Sequence, residues 1–237
     1  MLNETFYLDG IDARSAGIQL QRPIEFSKAV PVVKAQTIPG RNGDLIWETG
    51  SYENRSGSAS CFCLQKDAEK AISTAGRFLM GKNGYRRLET SDDPDHYWMA
   101  RVENSPQIAM RLRTLAPFDI GFDCKPQRFV KAGENAVVFD SDGVLFNQYG
   151  QIALPLITIY GKGKGTLTIG DCSVEFLSLD EITLLDSDTQ NYYTIEGFNY
   201  NRYIIAPEFP KLVYGENRIS FTGDVENIEI IPRWWEL

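Results

Sequence analysis

Alternating apolar and polar positions predict that the first half of the chain is mostly strand. Phe118, Ile120, Phe122 and Cys124 alternate with polar residues, which is the period-2 pattern of a strand with one buried face. Asp9-Gly10 between apolar residues predicts a hairpin near the N-terminus, because a two-residue turn needs positive φ. Short strand-like runs predict further strands at Phe6–Leu8, Val32-Val33, Leu45–Trp47 and Tyr97–Val102.

One stretch has helical periodicity instead. Apolar residues recur at helical spacing between Cys63 and Gly81, while charged residues occupy the other face. This pattern predicts one α-helix over about residues 65–80, and Gly81 is placed to end it in a left-handed cap. The apolar face consists of Leu64, Ala68, Ala71, Ile72, Ala75, Phe78 and Leu79.

The second half contains short apolar runs separated by turn residues, and this spacing without a helix predicts a β-sandwich. The stretch Gly161–Thr166 is rich in glycine and lysine, but a phosphate site would need a helix after it. The strand-like Leu167–Ile169 that follows favours a hairpin there. The predicted strands are Leu156–Tyr160, Gly165–Ile169, Ser173–Phe176, Glu181–Leu185, Tyr192–Ile195, Arg218–Phe221 and Val225–Ile231.

Charge divides the chain into two unlike parts. The 237 residues carry 24 Lys and Arg against 32 Asp and Glu, a net charge of -8. Residues 1–130 hold 17 basic and 16 acidic side chains, whereas residues 131–237 hold 7 and 16. The change coincides with the small, polar stretch Lys131–Ala136, so we predict two β-sandwich domains, 1–130 with the helix and 131–237. The acidic balance argues against nucleic-acid binding by bulk charge.

Composition also argues against secretion and membrane insertion. Four cysteines are too few for a disulfide scaffold in a chain of this length. Met1–Thr5 lacks the basic start of a signal peptide. The longest apolar run, Ile152–Tyr160, falls far short of the ~20 residues that cross a bilayer. We therefore expect a reducing compartment and no membrane.

Candidate catalytic and metal-binding residues are sparse. His96 is the only histidine, and we expect it to be a solvated surface residue. Cys61 and Cys63 would face the same side of a strand, where small core residues are the simpler interpretation than a ligand pair. We predict no metal, no cofactor and no enzymatic activity.

Trp234-Trp235 supports two alternatives. Aromatic faces stack on sugar rings, which makes the pair a candidate glycan site. Neighbours in a strand point to opposite faces, however, so a structural closing strand is the favoured interpretation.

Six segments together, in this order, resemble the distal tail proteins (Dit) of phages with long non-contractile tails. No single segment is specific, but the collinear set covers nearly the whole chain. The segments are Ile38–Leu45, Phe122–Phe129, Asp186–Tyr193, Phe209–Leu212, Gly215–Ile219 and Ile231–Trp235.

The resemblance implies a structural role in the virion, at the tail tip, after synthesis in the host cytoplasm. Such proteins form a hexameric ring hub that joins the major tail tube protein to the tail-associated lysin or tip protein. The N-terminal domain makes the ring, and the C-terminal domain, which is galectin-like or carbohydrate-module-like, faces outward. DNA would pass only through the channel. A host-glycan-binding module of the virion is the alternative function, and cell-wall hydrolysis ranks third.

Within this scheme the loop near residue 42 is the candidate ring interface. Arg and Trp are frequent interface anchors, so Arg41, Asn42, Gly43, Asp44 and Trp47 are the predicted contact residues. The equally weighted alternative is that Gly40 and Gly43 only close a turn while Trp47 packs in the core. An electronegative channel would need local placement of Asp9, Asp12 or Glu48.

Overall fold

A computed structural model describes residues 4–64, 68–103 and 115–237. It is mainly β, and it separates into two compact units, residues 1–128 and 129–236. The division falls two residues before Val130. Each unit has its own cluster of buried apolar side chains.

The first unit is built on one antiparallel sheet with the order β2-β1-β8-β9-β10-β7-β3, and β4 also pairs with β7. The last two residues of β10 belong to the second unit. The elements of the first unit are β1 (Phe6–Leu8), β2 (Ile11–Asp12), a 3-10 turn (Ala13–Ala16), β3 (Ile18–Leu20), β4 (Glu25–Phe26), β5 (Pro31–Gln36), β6 (Leu45–Tyr52), β7 (Arg55–Leu64), α1 (Ala68–Met80), β8 (Arg86–Thr90), β9 (Asp93–Val102) and β10 (Leu115–Val130).

The core of the first unit follows the predicted alternation. Phe118, Ile120, Phe122 and Cys124 are buried on one face of β10, which pairs with β7. Pro126 does not end that strand, which continues to Val130. The register with β7 stops at Cys124, so on that side no β7 residue needs the N–H that proline lacks. The predicted hairpin between β1 and β2 is confirmed: Asp9 has φ 52° and Gly10 has φ 76°.

Helix α1 confirms the predicted helix, with one correction at its end. Ala75 and Leu79 are buried in the core, while residues 65–67 and the side chains of Leu64, Ala68 and Ala71 lie outside what the structure describes. Gly81 does not adopt positive φ; that conformation occurs at Gly84, with φ 84°. Instead, a Cβ at Gly81 would lie 2.3 Å from the carbonyl oxygen of Arg77, so close approach is what requires glycine there.

Three strands of the second unit are not predicted by the sequence patterns: β11, β12 and β17. A short closing strand, β19, includes Trp235, where a closing strand was the favoured interpretation. The elements of the second unit are a 3-10 turn (Lys131–Glu134), β11 (Val137–Phe139), β12 (Gly143–Asn147), β13 (Leu156–Ile169), β14 (Cys172–Leu179), β15 (Ile182–Asp186), β16 (Asn191–Thr194), a 3-10 turn (Asn201–Tyr203), β17 (Ile204–Ile205), β18 (Gly215–Ile231) and β19 (Trp235–Glu236).

Two long bent strands, β13 and β18, run side by side through the second unit and carry both layers of its sandwich. The first part of β13 pairs with β15, and the last part pairs with β14. The register with β18 shifts between Tyr160 and Gly165, and the register with β14 shifts between Gly163 and Gly165. Such irregularities bend a strand pair. The predicted hairpin at Gly161–Thr166 is therefore wrong, because the glycines lie inside one continuous strand.

Glycine is required at this bend because Asp224 of β18 approaches it closely. A Cβ at Gly161 would lie 2.1 Å from the Asp224 carbonyl oxygen. The Lys164 amide donates a hydrogen bond of 2.9 Å to Asp224 Oδ2, which leaves no room for a side chain at Gly163. The cluster that resembled a phosphate loop is thus a packing feature.

Candidate assembly interface

The hairpin of β5 and β6 is set apart from the main sheet of the first unit. The two strands form a two-stranded sheet of their own, and none of their side chains is buried. Each strand keeps one unpaired edge within the part of the chain that the structure describes. An isolated two-stranded hairpin is only marginally stable in water, so this element gains from being covered.

Both faces of this hairpin carry exposed apolar side chains. Ala35 lies opposite Ile46 and Lys34 lies opposite Trp47, and directly opposed residues share a face. Strand alternation then places Val33 and Ile46, 49 % and 60 % exposed, on one face. Trp47, 48 % exposed, lies on the other. A partner that covered only one face would leave the other in water.

The hairpin tip is a glycine-supported turn. Gly40 and Gly43 have φ values of 82° and 78°, and the Thr37 hydroxyl donates a hydrogen bond of 2.8 Å to Asp44 Oδ1. The turn-closing part of the sequence alternative is therefore right, whereas a core position for Trp47 is wrong for this unit. All five predicted contact residues are exposed: Arg41, Asn42, Gly43, Asp44 and Trp47.

Charges along the hairpin are balanced and unpaired. Residues 27–54 contain three cationic and three anionic side chains, and none of the six makes an ion pair with a residue that the structure describes. A surface with free charges of both signs suits a complementary surface better than a polyanion such as DNA. The side chains are Lys28, Lys34, Arg41, Asp44, Glu48 and Glu53.

The base of the hairpin, in contrast, is held firmly. Asn54 Nδ2 donates to Asp123 Oδ1 at 2.8 Å, and Arg101 Nε donates to Asp123 Oδ2 at 2.6 Å. Where the chain enters the hairpin after β4, the Ser27 carbonyl oxygen accepts a hydrogen bond of 2.8 Å from Arg55 Nε. The unit thus anchors the hairpin where it leaves the sheet and leaves the rest of it uncovered.

Two of the three carboxylates that could make a channel electronegative are neutralised by ion pairs. Asp9 is ion-paired with Lys82 at 2.9 Å, and Asp12 is ion-paired with Arg14 at 2.7 Å. Of the three carboxylates considered, Glu48 alone has no cationic partner among the described residues.

Trp234 and Trp235 do not form an exposed aromatic platform. Trp234 is 7 % exposed and its ring lies 6.1 Å from that of Tyr149, so neither of its faces is open to a sugar ring. Trp235 is half-buried, and its indole N–H donates to the Ile152 carbonyl oxygen at 2.9 Å. Gly133 explains the tight fit, since a Cβ there would lie 2.3 Å from the backbone nitrogen of Trp234.

A partly buried ion pair also holds the segment that contains Trp234 and Trp235. Arg233 Nη1 donates to Asp186 Oδ1 at 2.7 Å. Burial alone would raise the pKa of Asp186, but the Arg233 guanidinium and the amides of Asp188 and Thr189 hold that pKa below its ordinary value.

The remaining candidate residues have structural roles. His96 is less exposed than expected: its side chain is 18 % exposed and its Nδ1 lies 2.7 Å from Asp93 Oδ1. Cys61 and Cys63 are buried in the core as predicted, and burial raises the pKa of Cys61 to about 12. Over the described ranges, no cluster of three or more His, Cys, Asp or Glu side chains is arranged to hold a metal ion. No helix in these ranges is long and apolar enough to cross a membrane.

Comparison with known proteins identifies the fold. No family model and no curated protein matches the chain. Among solved structures, the chain is similar to the Dit protein of phage SPP1, with a TM-score of 0.75 and 14 % identity over 96 % of this chain and 98 % of that one. That protein is described as a paradigm of the hub adsorption apparatus in phages that infect Gram-positive bacteria. The Dit-like fold expected from the resemblance is therefore confirmed.

Proposed function

We propose that this chain is a tail hub protein that assembles into a homo-oligomeric ring, a hexamer, at the distal end of a non-contractile phage tail. The observation that carries the proposal is the β5–β6 hairpin, which exposes apolar side chains on both faces. The near end-to-end likeness to a phage hub protein supports it, since the likeness covers both units.

A ring explains why the hairpin is two-faced. In a head-to-tail ring each subunit uses two different patches and is flanked by two neighbours. A hairpin that enters the joint between subunits is covered on the Ile46 face by one neighbouring surface and on the Trp47 face by another. Its three free cations and three free anions then find partners across the joint.

The family resemblance suggests roles for the other parts of the hub. The first unit would form the ring, around a channel through which DNA passes, with the tail tube protein on one side and the tail-associated lysin or tip protein on the other. The acidic second unit would face outward, where like charges keep neighbouring domains soluble. The role is non-enzymatic, and we expect no activity on cell-wall fragments.

Negative-stain microscopy of the full chain, alone and mixed with its tail tube protein, tests the proposal. Six-fold rings are expected in one or both samples. A chain that stays monomeric at all concentrations and never joins the tube protein would contradict it.

A further inference from the structure

One edge of the second unit is longer than the other edges of the two large sheets. Strand β12 has five residues and pairs with β18 on one side only. The other described strands of these sheets that pair on one side only, β2, β3, β4, β11, β16, β17 and β19, have two to four residues. Short edge strands are one means by which proteins avoid pairing with other chains, and β12 lacks that protection.

The other usual protections of an edge are also missing from β12. Its sequence, Gly-Val-Leu-Phe-Asn, contains no lysine and no proline, and its register with β18 runs from Gly143 to Asn147 without a bulge. Outside the strand pairing, the only hydrogen bond of its backbone to a described residue is the one that the Leu145 carbonyl oxygen accepts from Asn217 Nδ2, at 3.2 Å. The outer edge of β12 therefore presents unpaired N–H and C=O groups.

The outer face of this edge is apolar. Val144 lies opposite Arg218 and Phe146 lies opposite Glu216, so the four side chains share one face of the sheet. Val144 is 53 % exposed and Phe146 is 58 % exposed. A free edge with alternate exposed apolar side chains is the arrangement by which sheets bind an extended peptide as an added strand.

The charge around β12 is negative and uncompensated. Asp140 and Asp142 directly precede the strand, and Glu216 lies beside it; none of the three makes an ion pair with a described residue. Arg218 is an unpaired cation on the same face, which leaves three carboxylates against one guanidinium. A second copy of this unit would bring the same excess of carboxylates to the edge. Charge complementarity therefore favours a basic partner.

We infer that β12 is a docking edge for an extended, net basic segment of another protein, which adds to the sheet as a further strand. Main-chain hydrogen bonds to the free edge hold the segment in place. Its outer side chains pack on Val144 and Phe146, and its lysines or arginines meet the carboxylates that flank the edge. The edge uses no part of the β5–β6 hairpin, so this inference does not depend on ring formation.

The test uses fluorescence anisotropy of labelled nonapeptides with blocked ends, titrated with the full chain. The first peptide alternates valine with lysine or threonine, and it should bind at millimolar concentration or below. A second peptide has glutamate in place of lysine, which reverses its charge. A third has two adjacent prolines at its centre, which removes main-chain N–H groups in either register. Both should bind roughly tenfold more weakly than the first, or worse.

Substitutions in the chain locate the docking edge. Val144→Lys places a charge on the edge and Phe146→Ala removes its largest apolar side chain, and each should weaken binding of the lysine peptide roughly tenfold. Val138→Lys is the matched control, because Val138 has nearly the same exposure as Val144, 54 %, but lies on β11. It should leave the affinity unchanged. All three positions are exposed, and thermal unfolding checks that each variant is folded.

Hydrogen exchange of the full chain gives an independent measurement. The lysine peptide should slow amide exchange within residues 143–147. The inference is overturned if no peptide binds at millimolar concentration, if the glutamate peptide binds as tightly as the lysine peptide, or if binding survives both β12 substitutions. It is also overturned if Val144→Lys changes the mass of the particle without peptide, because a second copy would then occupy the edge.

Discussion

Two antiparallel strand pairs in this molecule differ in what covers them. The pair β13–β18 is long, bent and buried, with Ile157, Ile159 and Ile228 fully inside the core. The pair β5–β6 also contains apolar residues and a glycine, yet it buries none of its side chains. Both pairs are antiparallel ribbons, and what differs is whether the same chain supplies the covering layer. In the proposed ring, the uncovered pair is the one that neighbouring subunits cover.

The largest difference in stability between the covered and the uncovered regions is expected at two tryptophans. Trp234→Ala removes a ring from the core of the second unit and should lower the free energy of unfolding by about 3–5 kcal/mol. Trp47→Ala removes a ring from the exposed hairpin and should change it by no more than about 0.5 kcal/mol. Urea unfolding, at a dilution at which sedimentation gives a monomer, measures both. Equal losses would mean that the hairpin is covered within its own chain.

A substitution at the irregular part of β13 should have the next largest effect on the free energy of unfolding. Gly161→Val places a branched side chain against the Asp224 backbone, at φ 154°, and should cost about 3 kcal/mol. Gly197→Ala is the control, because Gly197 also has positive φ, 87°, but has no atom within 4 Å of a new Cβ. It should cost about 1 kcal/mol from backbone strain alone. Thermal or urea unfolding of the two variants separates strain from collision, and similar losses would argue against the close crossing.

The Asp186–Arg233 pair gives a smaller, pH-dependent effect. Since the pKa of Asp186 is held below its ordinary value, its contribution is present above the unfolded pKa and is lost as pH falls through the folded pKa. Asp186→Asn should therefore cost about 2 kcal/mol at neutral pH, and the gap to the original chain should narrow below about pH 5. Unfolding curves from pH 7 to 3 test this, and a gap that stays constant with pH would contradict it.

The sequence predicted those elements whose conformation is determined by neighbouring residues. The alternation at Phe118–Cys124, the Asp9-Gly10 turn and the helical spacing before Gly81 are local signals, and the structure contains all three elements. The continuity of β13 through Gly161–Gly165 was not predictable, because it depends on the distant Asp224.

The candidate sites followed the same rule. The run Leu45-Ile46-Trp47 lacks alternation, and that signal identifies a ribbon with two apolar faces. For Trp234-Trp235 the sequence favoured a structural closing strand over a surface role. The burial of Trp234 depends on Gly133 and Tyr149, which are distant in sequence and carry no local signal of that contact.

The most direct test of the account is the mass of the assembled particle, measured by native mass spectrometry or sedimentation for the original chain and two single substitutions. Ile46→Asp and Ile195→Asp alter side chains of equal exposure, 60 % each, the first on the hairpin and the second in the second unit. We predict that Ile195→Asp retains the six-subunit ring and that Ile46→Asp yields folded monomers. Rings that survive Ile46→Asp would contradict the claim that the hairpin builds the hub.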